Sequence, residues 1–403
     1  MNILLLCGYI EPQHEAEAAA WTKGQMEHAS LIHQRRLIEG LSAYPCQLTI
    51  VSAPFIGAWP IRSTLRVFRS FSHSTRMDIA YVPFHNLWGF RSISRAAALR
   101  KPVDDFLKTS QGTKRAVIVY APHTPFLYAA VRAKRKAPDL HICLIVPDLP
   151  QYMNLNAKGR CFYDFCKHFD ICLFEKLNRQ VDSYMLLTRP MADALDIGNR
   201  PFMVAEGLAD SKAIPMPAVR SKTFVYAGKL IRRFGIQRLL DAFSMLKDDE
   251  YRLIICGDGE MRCAVENAAR LDPRICYKGL LPHDQLAEVL QSASVLVNPR
   301  TGKEAYTRYS FPSKIIEYLQ TGLPVVSAVL EGMPDVYRQL LYCPQDDSAT
   351  ALAKAMEDAM QADPASEQLR LQAACAHLNA LMPSAVAGRL MAMIEGKAVH
   401  EEC

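Results

Sequence analysis

Tyr309-Ser-Phe-Pro-Ser-Lys-Ile-Ile-Glu-Tyr-Leu-Gln-Thr-Gly-Leu-Pro-Val-Val326 is the stretch on which the reading of this chain turns. Ser310 can cap a helix and Pro312 suits its first turn. Gly322 ends the helix, and Pro324 prevents its continuation. A strand, Val325–Ser327, follows at once. Ile315, Ile316 and Leu319 point to a core. Ser310, Ser313, Lys314 and Glu317 are spaced three, four or seven apart and share the opposite face.

The same strand–helix alternation runs outward in both directions. Short apolar runs recur at Ile3–Leu6, Leu48–Val51, Ile79–Val82, Ala116–Tyr120, Ile142–Val146 and Tyr184–Leu187. Helical periodicity separates them, as at Gly24–Gly40 and Pro125–Arg135. Such alternation implies a parallel sheet covered on both faces. The pattern breaks at 198–222, where Gly198, Pro201, Gly207, Pro215 and Pro217 cluster. A second series then begins: Phe224–Tyr226, Leu253–Cys256, Ile275–Tyr277, Val295–Val297 and Val325–Ser327. The expected fold is α/β: two doubly wound Rossmann-like domains facing a central cleft. Residues 1–200 form the first domain, 201–221 a linker and 222–403 the second. The Ala- and Leu-rich end is helical, and its last helix is allowed to pack back on the first domain.

With 403 residues, half of them apolar and 22% charged, the chain reads as globular and soluble. No apolar run approaches the ~18 residues of a membrane span. Met1-Asn-Ile-Leu-Leu-Leu-Cys-Gly8 reads as a first strand, not a signal peptide. The twelve cysteines are scattered without a CxxC pair, which fits a reducing cytoplasm. Cys161, Cys166, His168 and Cys172 cluster, but their spacing fits no zinc pattern, and buried thiols on a helix are the preferred reading. No metal is expected. Charge is uneven: residues 1–200 carry +9 and residues 201–403 carry −3. A basic front half suits an anionic membrane surface. The basic residues match no nucleic-acid module, so nucleic acid is not expected as a partner.

Lys314 in a first helical turn opposes the helix dipole by about 0.3–1 kcal/mol unless an anion sits there. Helix N-termini bind phosphate through free N–H groups. Glu317, one turn on, can accept from a ribose diol. The plainer alternative is a solvated Lys314–Glu317 pair. Tyr226-Ala-Gly228-Lys-Leu-Ile-Arg-Arg-Phe-Gly-Ile236 supplies a second half-site. Gly228 permits a tight turn after a strand, and Lys229, Arg232 and Arg233 crowd a loop that suits a pyrophosphate.

Taken in order, the Gly228 loop, Cys256-Gly-Asp-Gly-Glu260, Tyr277-Lys-Gly279 and Ser310-Phe-Pro-Ser-Lys-Ile-Ile-Glu317 resemble the C-terminal domain of family 4 glycosyltransferases. Tyr120-Ala-Pro-His-Thr-Pro125, Val146-Pro-Asp-Leu-Pro150 and Val204-Ala-Glu-Gly-Leu-Ala-Asp210 resemble the exopolysaccharide and capsule branch. The resemblance implies a retaining, metal-independent GT-B enzyme without a cofactor. Its substrate would be a nucleotide sugar, a UDP-sugar by expectation. Lys229 and Arg233 would neutralise the diphosphate and Glu317 would bind ribose. The backbone around Phe311 and Ser313 would touch the donor. Many members carry a first glutamate eight residues before the second; here Tyr309 stands there, and Glu304 is the candidate substitute. His123 matches the histidine found near the donor sugar in related enzymes, and Asp148 is a candidate for orienting the acceptor.

Trp59–Phe71 reads as an interfacial helix. Arg62, Arg66 and Arg69 would share one face, with Trp59, Leu65, Val67, Phe68 and Phe71 giving apolar contact. A packed helix with a basic edge is the alternative. Membrane contact would fit a lipid-linked saccharide acceptor and a cytoplasmic, peripheral location. Two rival functions stay open: a sugar-nucleotide 2-epimerase of the same fold, and a non-catalytic nucleotide-sugar-binding protein. Gly257-Asp-Gly259 is only a fragment of a dinucleotide fingerprint, because Arg262 stands where its third Gly belongs.

Overall fold

The computed structural model describes residues 1–24, 26, 28–72, 78–151, 161–210, 221–302 and 305–397. The chain divides into two compact units, one of Met1–Leu208 with the last helix and one of Ala209–Met382.

The first unit is built on seven parallel strands: β1 Asn2–Cys7, β2 Gln47–Ser52, β4 Ile79–Tyr81, β6 Arg115–Tyr120, β7 His141–Val146, β8 Ser183–Leu186 and β9 Phe202–Val204. Their order is β4-β2-β1-β6-β7-β8-β9. β3 Val67–Phe68 and β5 Phe84–His85 form a separate antiparallel pair. In β1, β6 and β7 every residue after the first is buried. That is the signature of strands covered on both faces, and it is why they read as unbroken apolar runs. The last helix, Pro383–Ile394, packs against the helix His28–Ala43 of this unit.

The second unit has five parallel strands: β10 Thr223–Ala227, β11 Arg252–Cys256, β12 Ile275–Gly279, β13 Val295–Asn298 and β14 Val325–Ser327. Their order is β12-β11-β10-β13-β14. Phe224, Phe243 and Tyr251 meet edge to face in its core, which the helices Ile236–Met245 and Ala349–Met360 complete.

In each sheet the chain lays strands one way from a starting strand and then returns to its other side. The reversal falls between β1 and β6 in the first unit and between β10 and β13 in the second. Ligands of open α/β sheets bind outside the carboxyl ends of the strands at such a switch point. The loops after β6, β10 and β13 are therefore the places to look.

Three expectations need correction. Trp59–Phe71 is not a helix: it runs through a turn at Pro60–Arg62 into β3. Pro60 lacks a donor N–H, and the aromatic side chains serve a different purpose. Phe68 and Phe71 are buried and pack on Trp21 and Tyr81. Arg66 lies over the Trp59 ring at 4.6 Å. The helix expected from Gly24 begins only at His28, and a further helix, Pro12–Trp21, precedes it. Cys172 is exposed, within 3.6 Å of His168, and not a buried thiol; the side chains of Cys161 and Cys166 lie outside the described residues.

Candidate functional site

In the second unit the loops after β10 and β11 lie backbone against backbone. The Gly257 N–H donates to Gly279, the Gly228 N–H to Cys256, and the Leu230 N–H to Asp258. Gly257 has φ +134°, and a Cβ there would stand 1.8 Å from the Gly228 carbonyl oxygen. No other residue fits. This lacing fixes the basic loop, whose Arg232 N–H also donates to the Glu260 carboxylate. Arg232–Phe234 makes one 3-10 turn, and Gly235, at φ +83°, opens the helix Ile236–Met245. Lys229, Arg232 and Arg233 are exposed on the carboxyl side of β10.

A fourth cation joins them from β13. Arg300 follows Pro299 at the end of that strand and is buried. Its Nη2 donates to Ser310 Oγ at 2.9 Å. Its guanidinium lies over the rings of Phe234 and Tyr306, at 5.2 and 5.1 Å, and Arg233 lies over the same two rings. The Tyr306 hydroxyl and the Arg300 Nε are buried without partners among the described residues. None of Lys229, Arg232, Arg233 and Arg300 pairs with a carboxylate among the described residues, whereas Arg115, Arg132, Lys134, Lys222 and Arg274 all do. Two guanidiniums sharing two rings repel one another, and a bound anion would relieve that.

The Ser310 segment departs from its expected form. Ser310 does not cap a helix; it ends a 3-10 turn, Ala305–Tyr309. The helix is Lys314–Leu319, with Ser313 at its cap position and no side-chain cap bond. At six residues it is too short to carry much dipole, so the cationic side chains outweigh its N-terminus as the anion attraction. Ile315, Ile316 and Leu319 are buried as expected, and Gly322, at φ +71°, closes the turn before β14. Phe311 is buried against Tyr337. Lys314 Nζ sits 2.9 Å from Glu317 Oε2, both half-exposed, so the plainer pairing is present. It occupies one carboxylate oxygen, and the other has no partner among the described residues. The Tyr318 hydroxyl, fully buried, accepts from the Ala227 N–H at 2.9 Å and faces the Ala227 carbonyl at 3.2 Å. That bond ties the helix to the carboxyl end of β10. Glu304 lies outside the described residues.

In the first unit His123 follows β6 and stands at the cap position of the helix Thr124–Lys136. Phe55 and Phe126 contact its ring edge to face at 5.4 and 4.8 Å. Its Nε2 is 3.3 Å from Nη1 of Arg95. Burial, then the charges of Arg95 and Arg91, push its pKa well below the ordinary histidine range, so it is neutral at neutral pH. Asp148 is exposed after β7, the neighbour of β6. The structure thus puts His123 and Asp148 at one sheet edge, and the donor candidates at the edge of the other sheet. Sequence reading missed Arg300, Tyr306, Tyr318 and Arg95. An arginine after a strand end and a proline is the one local sign that Arg300 offers.

Residues 221–362 match the family described as glycosyl transferases group 1. The teichuronic acid biosynthesis glycosyltransferase TuaC of Bacillus subtilis is 28% identical over 135 residues, covering 33% of this chain and 31% of its own. Such matches span about a third of the length of the curated relatives concerned. Among solved structures, HepE of Anabaena in complex with UDP aligns with a TM-score of 0.63 at 12% identity over 98% of this chain and 100% of its own. The lipopolysaccharide outer core galactosyltransferase WaaB aligns with a TM-score of 0.63 at 14% identity over 99% and 100%. The likeness to these solved structures shows that the fold is GT-B. The part that matches the group 1 family lies within the second unit.

Proposed function

We propose that this chain is a retaining, metal-independent transferase. It moves a sugar from a nucleotide-diphosphate donor, a UDP-sugar, to a lipid-linked or glycan acceptor in surface polysaccharide synthesis. The observation that carries this is the gathering of four cations without carboxylate partners, among the described residues, at the switch point of the second sheet. Sugar transfer builds charge on the departing diphosphate. Preorganised cations stabilise that charge without reorganising. Lys229 and Arg233 hold the diphosphate, with Arg232 in the same exposed loop. Arg300 extends the cationic wall toward Ser310, and Glu317 accepts from ribose. HepE, of the same fold, is described in complex with UDP. The front-face course with retention rests on the resemblance to family 4 enzymes and needs no protein nucleophile. His123 would meet the donor sugar and Asp148 the acceptor.

Arg62 and Arg66, on the loop leading to β3, and Arg69, just after it, are exposed and remain candidates for contact with anionic lipid on the cytoplasmic face. Cosedimentation with anionic liposomes that survives their change to Glu would remove that part of the proposal.

The test is a thermal-shift screen of nucleotide sugars followed by product analysis. A bound donor raises the melting temperature. Transfer requires an acceptor. An epimer formed from donor alone would establish the 2-epimerase instead. Binding without turnover on any acceptor tried would favour the non-catalytic reading, which Tyr309 at the first-glutamate position keeps in view.

A further inference from the structure

Arg95 heads the largest fully buried side chains among the described residues, and no described carboxylate pairs with it. The helix Arg91–Ala98 turns it inward. Its guanidinium lies 4.3 Å over the Phe84 ring. Nη2 donates to the Pro54 carbonyl oxygen, Nη1 approaches His123 Nε2 at 3.3 Å, and Nε has no partner among the described residues. Burying an unpaired cation costs several kcal/mol. A Met would fill the space without that cost, so the charge calls for a reason.

The direction of one hydrogen bond supplies it. A guanidinium has five N–H donors, no acceptor, and keeps its proton in proteins. The contact can therefore run only from Arg95 to His123, and Nε2 must present its lone pair. A neutral imidazole has one N–H, which then sits on Nδ1. Protonating Nε2 would aim two N–H groups at each other and add a third positive charge beside Arg95 and Arg91. Among the described residues, Asp170 of the helix Cys161–Asn178 lies beside Thr124 and Arg91. The Phe55 and Phe126 edges hold the ring plane.

We propose that Arg95 is a positioning residue that locks His123 as the neutral Nδ1–H tautomer. His123 then serves a bound sugar only as a hydrogen-bond donor through Nδ1–H, and neither takes nor gives a proton in transfer. This rests on the reading of His123 as a donor-sugar contact.

The experiment is long-range 1H–15N correlation of the imidazole nitrogens in the full-length chain without ligand, with His123→Asn to assign the signal. Wild type should show a protonated Nδ1 and a bare Nε2, unchanged from about pH 7.5 to about pH 5.5. R95M should let His123 titrate near the ordinary ~6.5 with mixed tautomers. R95K, which keeps a donor, should restore the Nδ1–H form. A protonated Nε2 in wild type, or wild-type behaviour in R95M, overturns the lock. If R95M does not fold, the wild-type spectrum decides alone. Turnover is a separate arm, run with whichever of UDP-glucose, UDP-galactose, UDP-N-acetylglucosamine and UDP-glucuronate gives the largest thermal shift. There His123→Ala should lower kcat about tenfold, the loss of one good hydrogen bond. Unchanged turnover overturns the role at the sugar while leaving the lock to the spectrum.

Discussion

Both sheets carry arginine near their switch-point loops, yet the two arginine settings are opposite in kind. In the second unit Arg233 is exposed and Arg300 lies just beneath it, and neither meets a described carboxylate. In the first unit Arg95 is fully buried, with both Nη atoms consumed by the protein itself. Arg233, a cation at the surface, costs little to keep and would gain from an anion. A buried cation costs a great deal, and here its donors are turned on a neutral ring and a carbonyl. On the proposed reading the second edge receives charge from outside, and the first holds one uncharged group in one state.

The sharpest way to break that comparison is to remove the receiving charges. Lys229→Ala with Arg233→Ala should lower kcat/KM by about 10²–10³, the scale of losing preorganised transition-state donors. Both side chains are exposed, so the unfolding free energy should change by less than about 0.5 kcal/mol each. Near-normal turnover with intact fold would end the diphosphate assignment. Arg300→Met should follow at about tenfold or more in kcat/KM, with a stability loss of about 1 kcal/mol because its bond to Ser310 goes too. A stability loss with full activity would make Arg300 a packing residue. Glu317→Ala is the smaller test. Its pair with Lys314 is half-exposed and contributes at most about 1 kcal/mol to stability. Donor affinity by calorimetry should fall about tenfold if the carboxylate holds ribose, and an unchanged Kd would reject that role.

Legibility in the sequence followed burial. β1, β6, β7, β10 and β14 were readable because strands covered on both faces must be apolar throughout, and the run Val325–Ser327 is β14 itself. Trp59–Phe71 misled because its aromatic spacing comes from Phe68 and Phe71 joining Trp21 and Tyr81 in a cluster, and a tertiary cluster has no fixed period. Lys229 and Glu317 stood in motifs and could be found. Arg300 meets Phe234 of the loop after β10 only because β13 lies beside β10, a fact of sheet order that no local pattern encodes. Arg95, among Ser94, Ala96 and Ala97, reads as a surface arginine; only the packing of its helix onto Phe84 and Pro54 turns it inward.

The mildest prediction sharpens the comparison through acid. His33, half-buried in the first unit, is 3.2 Å from the Tyr120 hydroxyl through Nδ1. Burial first, and the charge of Arg36 second, bring its pKa down to about 4. An unfolded chain binds that proton near 6.5. Between those values the unfolded state holds a proton that the native state refuses, so stability is full above about pH 6.5 and falls as the pH drops toward 4. His123, lowered for the same reasons, adds to the effect in the same unit. The slope is at most about 1.4 kcal/mol per pH unit for each such histidine. Urea midpoints at about pH 7 and pH 5 should therefore differ, and His33→Gln should shrink the difference. Hydrogen exchange at about pH 5 should quicken at β6 before β10. Equal loss of protection in both sheets, or an unchanged midpoint difference in the variant, would show that acid acts on the molecule through other groups.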